Sequence, residues 1–473
     1  MDLPGALQEE ILTSLCWDKD AIPIIVNTIN VSHFTSKEYR KIAQIAKDHW
    51  FSYKEPIGFH LPGELEEELK GEEGKIYKRL IDNLFLTKDD INNDYLIKKI
   101  ENVVTSHNVK ETILTAHKCI LRGDTDGAEK RLLSYKESSI KAFDRGLNFG
   151  ADFDGTFRFL EKEEDDRFMI GIPQLDMLGI CPKRKRMFVV FAVPGRGKSW
   201  FCINIAKINS VMGRKVLYVT LEMDRDSVAQ RLVQSFYWVA KSETKFRDDY
   251  MKFSTNSQNR LMGFEASPLD ERVRFLDNKN HMEEIRRDVR NYQEWFKNGL
   301  LTIQDFASGA TVSDIEAFLD KSEMIDGVTY DLLIVDYPEE MKLNPEHYRF
   351  SLSETNKGLR RIVKQRNMGL VIPFQGNREG LRKAFWLTGQ HLSEDYSILK
   401  TADGIISLNM TDAEKEIGVM RPYVLKYRDD LDGMKLIVSH NYYIGQVCLD
   451  SAFLTCGQRE YGEIFRGMTN MEL

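Results

Sequence analysis

MFVVFAVPGRGKSWFCINIAKINSVMG, residues 187–213, decides the fold. Its first six residues are an unbroken apolar run, which suits a strand buried on both faces of a parallel sheet. The segment after Trp200 reads as a helix. Between them lies AVPGRGKS, of the form A-x-x-x-x-G-K-S. A chain of phosphates needs many backbone N–H donors in a tight, concave loop. Small residues such as Gly195 and Gly197 permit that loop, and the following helix adds the positive end of its dipole. Pro194, Arg196 and Trp200 complete the phosphate-binding stretch. Lys198 would neutralise the outer phosphates, and the Ser199 hydroxyl would serve Mg²⁺, so ATP and Mg²⁺ are the expected cofactors. Ala192 stands where Gly is commoner. The alternative is a glycine-containing turn with a chance GKS, and the strand-loop-helix context argues against it.

Outward from this segment, short apolar runs alternate with helical stretches: KVLYVTLEM (215–223), DLLIVDY (331–337), GLVIPF (369–374), GIISL (404–408) and PYVLKY (422–427). The expected fold is α/β, a mostly parallel sheet flanked by helices. A helix after DLLIVDY is expected to start on a capping box of Ser351 and Glu354. It would turn Leu359, Ile362 and Val363 inward behind the basic Lys357, Arg360, Arg361 and Lys364. The charged stretch 240–300 reads as a helical excursion, and Lys183, Arg184, Lys185 and Arg186 as a solvated turn.

The first 140 or so residues repeat apolar positions at three and four, as in Leu7, Ile11 and Leu15, then Ile42, Ile45, Ala46 and His49. They predict a small all-α N-terminal domain over 1–145. A glycine-rich, acidic linker follows over 146–170, then the α/β domain over 171–458 and a polar C-terminal tail over 459–473.

The chain has 473 residues, and its formal net charge of −7 excludes a wholly basic surface that coats nucleic acid. Any DNA contact must be local. The six cysteines are scattered, with no CxxC pair, which argues for reduced thiols and against a zinc or disulfide framework. No membrane span or leader pattern is present.

Further candidates follow from strand ends. Asp336 closes YDLLIVDY, where a carboxylate can hold magnesium beside the phosphate loop. Glu222, after KVLYVTLEM, could polarise an attacking water. Gln375, after GLVIPF, could bond the terminal phosphate and report its loss.

The order A-x-x-x-x-G-K-S, LEM, LLIVDY, FQGNR and LKYRDD resembles the motor domain of the DnaB-type replicative helicases, which are hexameric RecA-like ATPases of bacteria and phages. The resemblance covers roughly 165–450. It implies that Glu222 is the catalytic base, Asp336 the magnesium-linked carboxylate and Gln375 the coupling residue. It also implies that Lys426 and Arg428 reach a neighbouring subunit's nucleotide, so that hydrolysis needs a ring. Without it, those two would be exposed strand residues spaced by two. The loops NREGLRKAFWLTGQ (377–390) and HLSEDYSI (391–398) would face a central channel, with Arg378, Arg382, Lys383 and Glu394 as candidates for contact with single-stranded DNA. The implied activity is 5′–3′ translocation with a primase and a loader as partners, in the cytoplasm, that of a bacterial host if phage-encoded.

Three departures mark a divergent member, bacterial or phage-like. SEDY replaces the usual Arg-Glu-Ser-Gly-like stretch, residues 224–299 look long, and Pro338, Glu339 and Glu340 follow Asp336 where an apolar, Gln-containing sequence is usual. The rival readings are a RecA-like filament-forming recombinase and a ring ATPase that does no motor work.

Overall fold

The computed structural model describes residues 4–19, 21–70, 74–88, 93–125, 127–128, 131–132, 166–269, 272–292, 300–376, 384–391, 397–428, 432–469 and 471. The chain divides into two compact units, Met1–Asp152 and Phe153–Leu473.

In the first unit the described residues are helical. Helices Gly5–Trp17, Lys37–Tyr53, Gly74–Thr87 and Asn93–Leu121 are its main elements. Leu7, Ile11, Leu15, Ile42 and Ala46 are buried in one core, with Ile45 packed against it. The Ser36 side chain accepts from the Tyr39 N–H and caps the second of these helices, and Lys54 ends it in the left-handed region at φ 56°.

The second unit is built on a nine-stranded sheet. Its strands are β1 (Met187–Ala192), β2 (Lys215–Thr220), β7 (Leu300–Asp305), β8 (Leu332–Asp336), β9 (Gly369–Gln375), β10 (Gly404–Asn409), β11 (Val419–Tyr427), β12 (Leu436–Asn441) and β13 (Gln446–Phe453). Between β2 and β7 run β3 (Val239–Ala240), β4 (Asp249–Thr255), β5 (Leu261–Pro268) and β6 (Arg274–Phe275), which pair among themselves. The large sheet runs β13-β12-β11-β10-β1-β9-β8-β2-β7. The pairings from β10 through β7 are parallel and those from β10 to β13 antiparallel. Every residue of β1 and β10 is buried, as two covered faces require. All six apolar runs read from the sequence are strands of this sheet.

Several expectations are corrected. The 240–300 excursion is not all helix: β4 and β5 form an antiparallel hairpin, and Lys279–Tyr292 is the helix that follows. The hairpin forms because Met251, Phe253, Leu261 and Phe264 find an apolar partner in Ile437 and Ala452 of β12 and β13. No capping box starts at Ser351, because the helix Tyr348–Gln365 already includes it. The Ser351 hydroxyl instead accepts from the Asn344 N–H at 3.1 Å, and Glu354 pairs with Lys357. Arg184 is no solvated turn residue: it pairs with Asp331 at 2.6 Å and donates to the Asn367 carbonyl. The linker is described only from residue 166, and Phe168 and Ile170 there belong to the core of the second unit.

The expected polar tail is the helix Gln458–Thr469. Tyr461 and Phe465, four apart, are fully buried, and this amphipathic spacing holds the segment down. The Tyr461 hydroxyl donates to Glu414 at 2.8 Å. Glu414 also forms a two-point ion pair with Arg421 at 2.6 and 3.0 Å, both side chains being within 1% of full burial, and the guanidinium lies 3.6 Å from the Phe385 ring centre. Removing one member strands a buried charge. Glu414→Ala is therefore expected to cost about 3–5 kcal/mol, while Glu414→Leu with Arg421→Met recovers most of the loss. Urea unfolding of the three chains, followed by tryptophan fluorescence, checks both expectations.

Candidate functional site

The parallel strands deliver their last residues to one edge. Ala192 of β1 stands in register with Gln375 of β9, and Asp336 of β8 with Thr220 of β2. The phosphate loop leaves β1 at this edge and enters the helix Lys198–Val211. Gly195 and Gly197 have φ of 77° and 89°, the left-handed region that a glycine adopts without strain. A methyl on Gly197 would lie 2.1 Å from the Tyr442 hydroxyl, so this position also needs the missing side chain for room. Arg196 is tied to Asp412 at 2.7 Å, and Trp200 stacks on Tyr442 with ring centres 6.0 Å apart and planes 3° apart. Pro194 lies in the loop between β1 and Gly195.

Lys198 is buried and its Nζ donates to the Ala192 carbonyl at 3.4 Å. Burial holds the ammonium below the ordinary lysine range, opposed by Glu339, Asp336 and Glu222. Asp336 is only 2% exposed. Its Oδ2 accepts from the Tyr218 hydroxyl at 2.6 Å, and its Oδ1 is closed to solvent with no hydrogen-bond partner. Burial raises its carboxyl, while the hydroxyls of Tyr218 and Ser199 and the charge of Lys198 pull it back. A buried carboxylate oxygen without a partner, beside a serine hydroxyl, is a donor set that fits a hard cation such as Mg²⁺.

Glu222 follows β2 and is exposed, near enough to Lys198 and Tyr337 to affect both electrostatically. The Gln375 N–H donates to Glu339 Oε1 at 3.1 Å. Burial pushes the Glu339 carboxyl up to about 7. Glu222, Asp336, Gln375, Lys198 and Ser199 thus share one edge. Tyr218 and Glu339 were missed as members: a lone tyrosine in an apolar strand reads as core, and the strand periodicity stops before Glu339.

Lys426 and Arg428 lie elsewhere. Tyr427 between them pairs with Gly404, the first residue of β10, so both belong to the amino edge of the parallel strands. At about 3.3 Å per residue, the phosphate loop is roughly 13 Å or more away along the sheet. Lys426 donates to the carbonyls of Leu399 and Ala402, and Arg428 pairs with Asp403 at 2.9 Å. Asp403 also receives Arg360 and the Met187 N–H. Arg378, Arg382, Lys383 and Glu394 lie outside the described residues.

Residues 169–416, just over half of the chain, match the DnaB-like helicase C terminal domain. The chain belongs to this family. It is an ATP-hydrolysing helicase with a RecA-like fold. A solved structure described as a DnaB-like replicative helicase and its interactions with primase is similar at 13% identity and a TM-score of 0.51, covering 93% of this chain and 97% of that one. A second solved structure, described as an ATPase domain, shares 17% identity at a TM-score of 0.48, over 64% of this chain and all of that domain. No curated protein matches the sequence. No described helix of the helicase is long and apolar enough to cross a membrane, and all six cysteines are free.

A cavity of 530 Å³ adjoins the phosphate loop, lined by Arg247, Lys415, His440 and Tyr442 among others. His440 is 3% exposed, stacks on Tyr442 at 3.9 Å, and neither ring nitrogen has a hydrogen-bond partner. Burial, then the charges of Arg247 and Lys415, lower its pKa from 6.5 to about 3. Between those pH values the unfolded chain takes up a proton that the folded chain refuses, so stability falls as pH drops below 6.5. His440→Gln is expected to remove this component. Between pH 6.5 and 5 the wild type should lose about 1.5 kcal/mol more than the variant in parallel urea titrations.

Proposed function

We propose that this helicase closes into a ring, a hexamer by the resemblance, around single-stranded DNA and moves 5′ to 3′ by hydrolysing ATP at subunit interfaces. One observation carries the reading: the phosphate loop and the Lys426–Arg428 pair occupy opposite edges of the same sheet. A chain so built keeps its own Arg428 away from its own phosphate loop. It can bring Arg428 to the nucleotide of the next copy in a head-to-tail ring, which is the contact that a heterologous, closing interface repeats.

The glycine-lined loop and the first turn of Lys198–Val211 hold the phosphates, with Lys198 as the counter-charge. The cavity beside Tyr442 and His440 takes the nucleoside. Ser199 and Asp336 hold Mg²⁺, which when bound neutralises phosphate charge. Glu222, exposed at the end of β2, accepts the proton of the attacking water. Gln375 senses the terminal phosphate, and Arg428 of the adjacent copy, supported by Lys426, stabilises charge developing on the transferring phosphoryl group. Arg378, Arg382 and Lys383 contact DNA phosphates along the channel, with Glu394 on the second loop. Such contacts are salt-dependent and indifferent to sequence. A primase and a loader are the protein partners, and the cytoplasm is the compartment.

The deciding experiment is strand displacement on forks that carry only a 5′ tail or only a 3′ tail, with ATP and Mg²⁺. Unwinding of the 5′-tailed fork alone is expected. Lys198→Ala is expected to lower ATP turnover by at least a hundredfold, since electrostatic contacts to the transferring group carry factors of this order, with an unchanged circular dichroism spectrum. ATP turnover with neither fork opened overturns the translocation reading. Turnover that survives in Lys198→Ala overturns the site.

A further inference from the structure

The turn after β8 carries a carboxylate that the roles above leave unused. Pro338–Glu340 is a single turn of 3₁₀ helix, and it brings Glu339 back over the carboxyl edge of the sheet. Oε1 of Glu339 accepts the main-chain N–H of Gln375 at 3.1 Å. Oε2 is closed to solvent and has no hydrogen-bond partner. Such an oxygen is costly to leave unpaired and marks a place where another group belongs. Of the carboxylates that act on Lys198, Glu339 acts most strongly, ahead of Asp336 and Glu222. The same side chain therefore pins the strand end that carries Gln375 and lies near enough to the phosphate-loop lysine to act on its charge.

A terminal phosphate brought to this loop makes both demands itself. It calls on the Lys198 ammonium, and it offers acceptor oxygens where β9 ends beside β1, in the Ala192–Gln375 register. Two anions cannot share one ammonium in a partly desolvated site without repulsion. We propose that Glu339 is a positioning residue that stands in for the terminal phosphate, holding the Gln375 main chain and countering the Lys198 charge until a nucleoside triphosphate displaces it. The proposal rests on the reading of Lys198 and Gln375 as phosphate contacts. It makes the Asp336–Gln375 edge a device that distinguishes triphosphate from diphosphate, because a diphosphate reaches the loop without the group that competes with Glu339.

The test uses the full chain at pH 8.5, where Glu339 is ionised despite its raised value of about 7, with fluorescent derivatives of ADP and of a non-hydrolysable ATP analogue, in Mg²⁺. Glu339→Gln keeps the size and the acceptor oxygen for the Gln375 N–H and removes the charge. It is expected to bind the triphosphate about tenfold more tightly, the scale of one like-charge contact removed from a partly solvated site, with diphosphate affinity unchanged. A triphosphate-to-diphosphate affinity ratio equal to that of the wild type overturns the proposal. A second measurement needs no variant: amide hydrogen exchange at residue 375 of the wild-type chain. Protection is expected alone and with ADP, and faster exchange with the triphosphate analogue. Equal protection in all three conditions overturns the proposal even if Glu339→Gln fails to fold. Wild-type chain that binds neither nucleotide overturns the reading of the site as well, whereas normal binding with an unchanged ratio removes only the role of Glu339.

Discussion

A desolvated ammonium, Lys198, lies among three carboxylates, Glu222, Asp336 and Glu339, and the arrangement of the second unit follows from keeping that cluster balanced. Charges removed from water must be matched by opposite charge or by hydrogen bonds. Here the matching groups come from four strand ends, which only a parallel sheet brings to one edge. Tyr218 is spent on Asp336, the Gln375 amide on Glu339, and the Ala192 carbonyl on Lys198. Within this cluster one oxygen of Asp336 and one of Glu339 are left without a hydrogen bond. Partial satisfaction is what a site built to receive a charged ligand has before the ligand contributes its share.

The same economy appears at the opposite edge. Asp403 gathers Arg360, Arg428 and the first amide of β1, so the start of the central strand and the Lys426–Arg428 pair are fastened to one buried carboxylate. Movement of Arg428 would reach the start of β1 through two contacts, and β1 leads into the phosphate loop. That connection is short and made of packed, hydrogen-bonded elements. The hairpin of β4 and β5 reinforces the antiparallel side of the sheet. The Met251 N–H donates to the Ser439 hydroxyl and the Arg247 guanidinium to the His440 carbonyl, which fixes one wall of the cavity beside the phosphate loop.

How much was legible follows from which signals are local. The phosphate loop was readable because its chemistry is contiguous: strand, two glycines, Lys198, Ser199 and helix occur in one run. The central strands were readable because burial on both faces makes them unbroken apolar runs. β7 escaped notice because it is an edge strand, half-exposed along its length. The 249–268 hairpin escaped because its apolar residues acquire a strand's role only against β12 and β13. Tyr218, His440 and Tyr442 carried no signal of their own, and Glu339 stood out only as a departure from the family pattern.

The sequence by itself determined the α/β class, the helical first unit, the glycine-containing loop between strand and helix and the strand ends that carry Glu222, Asp336 and Gln375. Each of these is written in periodicity or in a short motif. Only the tertiary structure decided that Glu339 bonds Gln375, that Tyr218 holds Asp336, that the last helix packs on the Arg421–Glu414 pair, and that Lys426 and Arg428 lie across the sheet from the phosphate loop. Those facts depend on strand order and on burial, which arise when segments distant in sequence meet and exclude water, and no window of the sequence contains them.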